Sequence, residues 1–221
     1  MKRALLTPAF WAWLALASLP PDLLAWAMGW DAMRPAYLAV ALAWWPVEVL
    51  AGLAALRLLL REEGNPLADG PAAEPGLARA WASAQSAELR VALWGTVWAL
   101  AGLLPAALVL SLGALASVPG RALFILLAAL GVGPALLYGL RRSVAVFYVL
   151  QGQRAGQALD SSRRRLTGKI WPFIRAFLPW LAEAWALDGL GWCLPEPWGL
   201  PLEPLSAALE LLGLWRAARA L

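Results

Sequence analysis

Histidine is absent from the chain and cysteine nearly so, Cys193 being the single thiol. Without His the sequence lacks the commonest general base and metal ligand near neutral pH, which excludes zinc chemistry and serine–histidine catalysis. One thiol builds neither an intramolecular disulfide nor a thiolate metal cluster. Charge is scarce too: 14% of the residues are Asp, Glu, Lys or Arg, while 62% are hydrophobic. A soluble domain has about 25% and 45–50% respectively. So little polar material cannot cover an exterior that faces water, so the exterior is expected to face hydrocarbon. The mean hydropathy of +0.65 agrees.

A helix needs about 20 mainly apolar residues to cross a bilayer, and four runs approach or meet that length clearly. Residues 4–19 continue to 27 if the break at Pro20 and Pro21 is tolerated. Residues 37–56 carry one acid, Glu48, and residues 91–112 and 122–140 carry no charge. Two further runs are weaker: 170–187 contains Arg175 and Glu183, and 205–215 is short and contains Glu210. The expected fold is therefore all-α, one transmembrane domain over 1–221, an integral membrane bundle of about six spans. No convincing small-residue cleavage site follows the first run, which reads as a retained helix.

The net charge of +4 does not point to nucleic acid, because the charges cluster at the ends of the apolar runs as topology signals do. With the N-terminus inside, every Lys and Arg except Arg34 and Arg121 falls on the inner side. The positive-inside rule thus predicts a multi-pass protein with a cytoplasmic N-terminus, and with no eukaryotic targeting pattern a bacterial inner (plasma) membrane is expected. Between the second and third spans, residues 61–76 read as a cytoplasmic loop, broken by Gly64, Pro66, Gly70, Pro71 and Pro75. Residues 77–89 resume helical character, as a surface helix or as an extension of span three. Asp22, just after the two prolines, is expected to start a short outer-surface helix over 23–33. Of the 15 tryptophans, many lie near span ends, where an indole sits well between acyl chains and headgroups.

The stretch after the fourth span is RRSVAVFYVLQGQRAGQALDSSRRRLTGKIWPF. Ala155, Ala158, Leu159, Ser162, Leu166 and Ile170 recur at helical spacing, with Arg154, Gln157, Arg164 and Arg165 elsewhere. Residues 151–169 therefore read as a basic amphipathic interfacial helix. An apolar run, a polar residue with Gly, then Ala158-Leu159, Ser161-Ser162, Leu166, Gly168 and Trp171 resemble the signature of a bacterial polytopic family. That family includes the membrane domain attached to some glycerophosphodiester phosphodiesterases, with stand-alone members. The resemblance implies a six-helix bundle with an interfacial elbow between spans four and five. Gln151 stands where that pattern commonly has an acid. Phosphodiesterase chemistry is not implied, since it needs His and metal-binding acids on a soluble barrel. Arg163, Arg164, Arg165 and Lys169 are either topology signals near anionic headgroups or a selective site for an anionic lipid or phosphorylated ligand.

An ionisable group at bilayer depth is a candidate functional residue, because placing one there is costly. Glu48, Glu183 and Glu210 are such groups. Pro46 and Pro179 each free a carbonyl four residues earlier, at Leu42 and Arg175, and broken helices of this kind line transporter sites. The acids serve either interhelical bonding or a transport or ligand route. No catalytic residue, metal or cofactor is expected. The expected function is a non-catalytic scaffold, assembly factor or membrane subunit with affinity for anionic lipid. The alternative is a small transporter or permease subunit for a lipid-like or organic solute. Expected partners are membrane lipids and another membrane protein or a second copy, with no nucleic acid.

Overall fold

The computed structural model describes residues 7–30, 34–67, 76–111, 117–194 and 197–221, without the side chains of Arg141 and Trp192. Among the described residues the chain is all-helical, with seven helices: α1 (Pro8–Met28), α2 (Pro35–Glu63), α3 (Leu77–Ser111), α4 (Val118–Leu150), α5 (Ala155–Leu166), α6 (Ile170–Cys193) and α7 (Leu202–Arg219). Helices α1 and α2, α3 and α4, and α6 and α7 pair as hairpins. Helix α7 returns to α1, α2 touches α3, and α5 lies on α4 and α3. The result is a helical membrane-type bundle, with the short amphipathic α5 between the fourth and the sixth helices in chain order.

Local chemistry sets the ends. Proline occupies the first turn of α1, α2 and α4, where its missing N–H costs no hydrogen bond. Ser117 caps α4, its Oγ accepting from the Gly120 N–H at 3.1 Å. Gly29, at φ 61°, closes α1 in the left-handed conformation that a Cβ would resist. Pro20 and Pro21 do not end α1, contrary to the short outer helix read over 23–33. Residues 31–33 of that reading lie outside the described residues. Pro20 removes the donor for the Leu16 carbonyl, and the Trp44 indole N–H donates to that carbonyl at 3.2 Å instead. An α2 side chain thus supplies the bond that the α1 backbone has lost.

Three helices among the described residues are long and apolar enough to cross a membrane, α2, α3 and α4, rather than about six. Charge and proline account for the difference. Helix α1 contains Pro20, Pro21 and Asp22, α6 contains Arg175, Pro179, Glu183 and Asp188, and α7 has 18 residues with Glu203, Glu210, Arg216 and Arg219. Residues 77–89 are the start of α3, not a separate surface helix. Likewise α2 continues to Glu63, so the expected 61–76 loop begins at Gly64; residues 68–75 lie outside the described residues.

Packing is concentrated at one end. Phe10 and Leu14 of α1, Leu53 to Leu59 of α2, Ala80 and Ala84 of α3, Val144 to Leu150 of α4, Phe173 of α6 and Leu212 to Ala218 of α7 share one core. These residues belong to the starts of α1, α3 and α6 and the ends of α2, α4 and α7, so each hairpin has both open ends in the core. Toward the hairpin tips many large apolar side chains are exposed, among them Leu24 and Met28, Leu38 and Leu42, much of the apolar surface between Leu93 and Leu110 and between Val118 and Leu137, and Trp185 and Leu190. An exposed apolar surface of this extent is where lipid would lie. Only glycine lets the α3–α4 hairpin close there, since a Cβ on Gly131 would stand 2.8 Å from the Gly102 Cα.

Candidate functional site: an acidic cavity at the base of the exposed half

Polar side chains converge where the packed end meets the exposed half. Glu88 of α3 forms an ion pair with Arg142 of α4 at 2.7 Å and accepts a hydrogen bond from the Trp45 indole at 3.1 Å. The Glu88 side chain is 13% exposed and that of Arg142 52%. Both line a cavity of about 340 Å³ with Glu48 and Glu210. Apolar walls come from Leu14, Leu53, Ala84 and Phe177. Three carboxylates therefore face one guanidinium. Charge of one sign in a low-dielectric wall calls for balance by protons or by a bound cation.

A second cavity, of about 350 Å³, shares Ala17, Glu48, Ala207 and Glu210 with the first and adds Asp22, Tyr37, Asp188 and Glu203. The two cavities adjoin through these four residues, and together they form an acid-lined region, the acidic passage, between the packed end and the tips of α1, α2 and α6. Tyr37 donates from its hydroxyl to Asp22 at 2.8 Å. Ala17 is the residue whose carbonyl loses its helical donor to Pro21, and it lines both cavities. Glu203 sits in the first turn of α7, outside the candidate spans, with its Oε2 buried and without a partner among the described residues. Burial, then the charges of Asp22 and Asp188, push its carboxyl up to about 7. No group of three or more His, Cys, Asp or Glu side chains among the described residues is placed to hold a metal ion.

Of the three acids singled out in the sequence, Glu48 and Glu210 meet in this passage. Glu183 does not: it is exposed on α6 and lines neither cavity. Glu88, Asp22, Asp188 and Glu203 complete the passage. The signal for Glu88 is the stripe Leu77, Trp81, Ala84, Glu88, which runs on into an uncharged span and places the acid at its edge. The freed carbonyls behind Pro46 and Pro179 are not what lines the site. The Trp81 indole instead donates to the Pro46 carbonyl at 2.8 Å, fastening α3 to α2.

The four basic residues of the elbow stand in different surroundings. Arg163 and Arg164 are exposed on α5, and Arg165 is half-buried with an Nε that lacks a partner among the described residues. Lys169 donates to the main-chain oxygen of Leu221, tying the start of α6 to the end of α7. Arg163 lines a cavity separate from the acidic passage. No known protein family, curated protein or solved structure matches the chain.

Proposed function

We propose that the chain is a non-enzymatic, multi-pass protein of a bacterial inner membrane, with its N-terminus in the cytoplasm, that carries a small organic cation or zwitterion through the acidic passage. One observation carries this reading: Glu48, Glu88 and Glu210 line one cavity with Arg142, and Glu48 and Glu210 also line the adjoining cavity, to which Asp22, Asp188 and Glu203 add three more carboxylates. An ammonium group suits the acids and an attached carboxylate suits Arg142. Coordination of a bare metal ion fits less well, given the spacing of the donors. The orientation rests on the basic residues, nearly all of which, among the described residues, lie toward the packed end. The likeness of the elbow to the membrane domain of some glycerophosphodiester phosphodiesterases supports a membrane bundle and adds no catalytic role.

Proteoliposome uptake of a panel of radiolabelled amines and amino acids tests the proposal. Glu48→Gln and Glu210→Gln are expected to lower uptake of the accepted solute at least about tenfold, a loss on the order of a charged hydrogen bond, and exposed Glu183→Gln to leave it unchanged. Equal loss in all three, or no uptake by the parent, removes the reading. The second reading, a scaffold that holds a partner membrane protein, is favoured by the outer halves of α3 and α4, which leave long apolar faces uncovered. Copurification of a stoichiometric partner with no solute uptake would establish it.

A further inference from the structure

A cavity of about 270 Å³ lies outside the acidic passage, between α3, α4 and α5, lined by Arg90, Trp94, Tyr138, Gly156, Asp160 and Arg163 among others. Gly156, Asp160 and Arg163 are spaced at i, i+4 and i+7, so α5 turns one stripe toward the cavity and packs the opposite stripe, Ala155, Ala158, Ser162 and Leu166, into the bundle. Gly156 matters because a Cβ there would stand 3.3 Å from Arg90 Nη1. The Arg90 guanidinium thus lies over the first turn of α5. No side chain caps that turn, so its free amide N–H groups add to the local positive potential. The guanidinium groups of Arg90 and Arg163 form no ion pair or hydrogen bond among the described residues.

Two unpaired guanidinium groups and an uncapped helix start suit an anion with several acceptor oxygens. The surroundings indicate its source. Immediately beyond the cavity, toward the hairpin tip, the exposed apolar face of α3 begins at Leu93 and Trp94 and continues through Val97. Trp94 and Tyr138 mark the level at which aromatic side chains meet headgroups. An amphiphile whose phosphate entered the cavity would lay its acyl chain along Leu93 and Val97. We infer that this cavity binds the phosphate group of an anionic phospholipid, with Asp160 accepting from a hydroxyl of its headgroup. The site is independent of the acidic passage, and each can fail without the other.

Full-length protein in detergent is titrated separately with phosphatidylglycerol, phosphatidylcholine and inorganic phosphate, with bound ligand counted by native mass spectrometry. One saturable phosphatidylglycerol is expected, bound more tightly than phosphatidylcholine. The double variant Arg90→Gln/Arg163→Gln is expected to weaken it about tenfold or more, whereas Arg154→Gln/Arg164→Gln, which removes the same charge from exposed positions outside the cavity, changes it less than about twofold. Gly156→Val crowds Arg90 without altering charge and is expected to weaken it as well. Should the double variant unfold, Gly156→Val decides the matter. Equal losses in the two double variants, unsaturable uptake, or parental binding by folded Gly156→Val would overturn the site. Inorganic phosphate bound as tightly as phosphatidylglycerol would overturn the lipid assignment.

Discussion

Arg142 is the residue on which the balance of the acidic passage turns. Removing it leaves Glu88 largely buried without its ion pair, near two further carboxylates. Arg142→Gln is expected to lower stability by about 1–3 kcal/mol, the usual consequence of an orphaned buried partner. Glu88→Gln is expected to cost less, and the double variant to recover part of the loss. Thermal melts in a mild detergent measure all three. Glu203 adds a pH dependence. With its carboxyl pushed up to about 7, it is neutral in acid and charged in alkali, so on the proposed reading cation affinity in the cavity it lines is expected to rise with pH across neutrality. Glu203→Gln should flatten that rise in a titration of solute binding between about pH 6 and 8.

Among the helices, the α3–α4 hairpin depends on contact between Gly102 and Gly131. Gly131→Ala places a methyl 2.8 Å from the Gly102 Cα, and is expected to destabilise the protein by about 1–3 kcal/mol through forced separation of the helices. A lowered melting temperature, with helix content unchanged by circular dichroism, checks it. The helices themselves were readable because period and hydropathy act along a single segment. Of the six residues assigned to one face of the elbow from spacing, Ala155, Ala158, Ser162 and Leu166 are buried in α5, while Leu159 is half-buried and Ile170 begins α6. Lateral facts were not readable in the same way. Lipid tails and protein interiors are both apolar, so hydropathy does not tell the exposed side of α6 that bears Glu183 from the inward sides bearing Glu48 and Glu210. Pro20 and Pro21 misled for a related reason: what carries α1 past them is an indole 28 positions away in sequence. Charge spacing likewise does not show that Lys169 reaches the Leu221 main chain, or that Arg163 shares a cavity with Arg90 of α3.

For the whole molecule, the arrangement predicts a labelling pattern. Cys193 is exposed at the tip end of α6, and is expected to react with a membrane-impermeant maleimide added outside intact cells. Exposed Thr167→Cys at the elbow, in a Cys193→Ser background, should react only after the cells are opened. Reaction of both from the same side would refute the orientation. Joining the helices firmly at one end and leaving them bare at the other makes the protein a peg held at its spring. On the proposed reading its jaws would be set by the leaflet around them, and a thicker or more tightly pressed leaflet would narrow the acidic passage before a solute arrived.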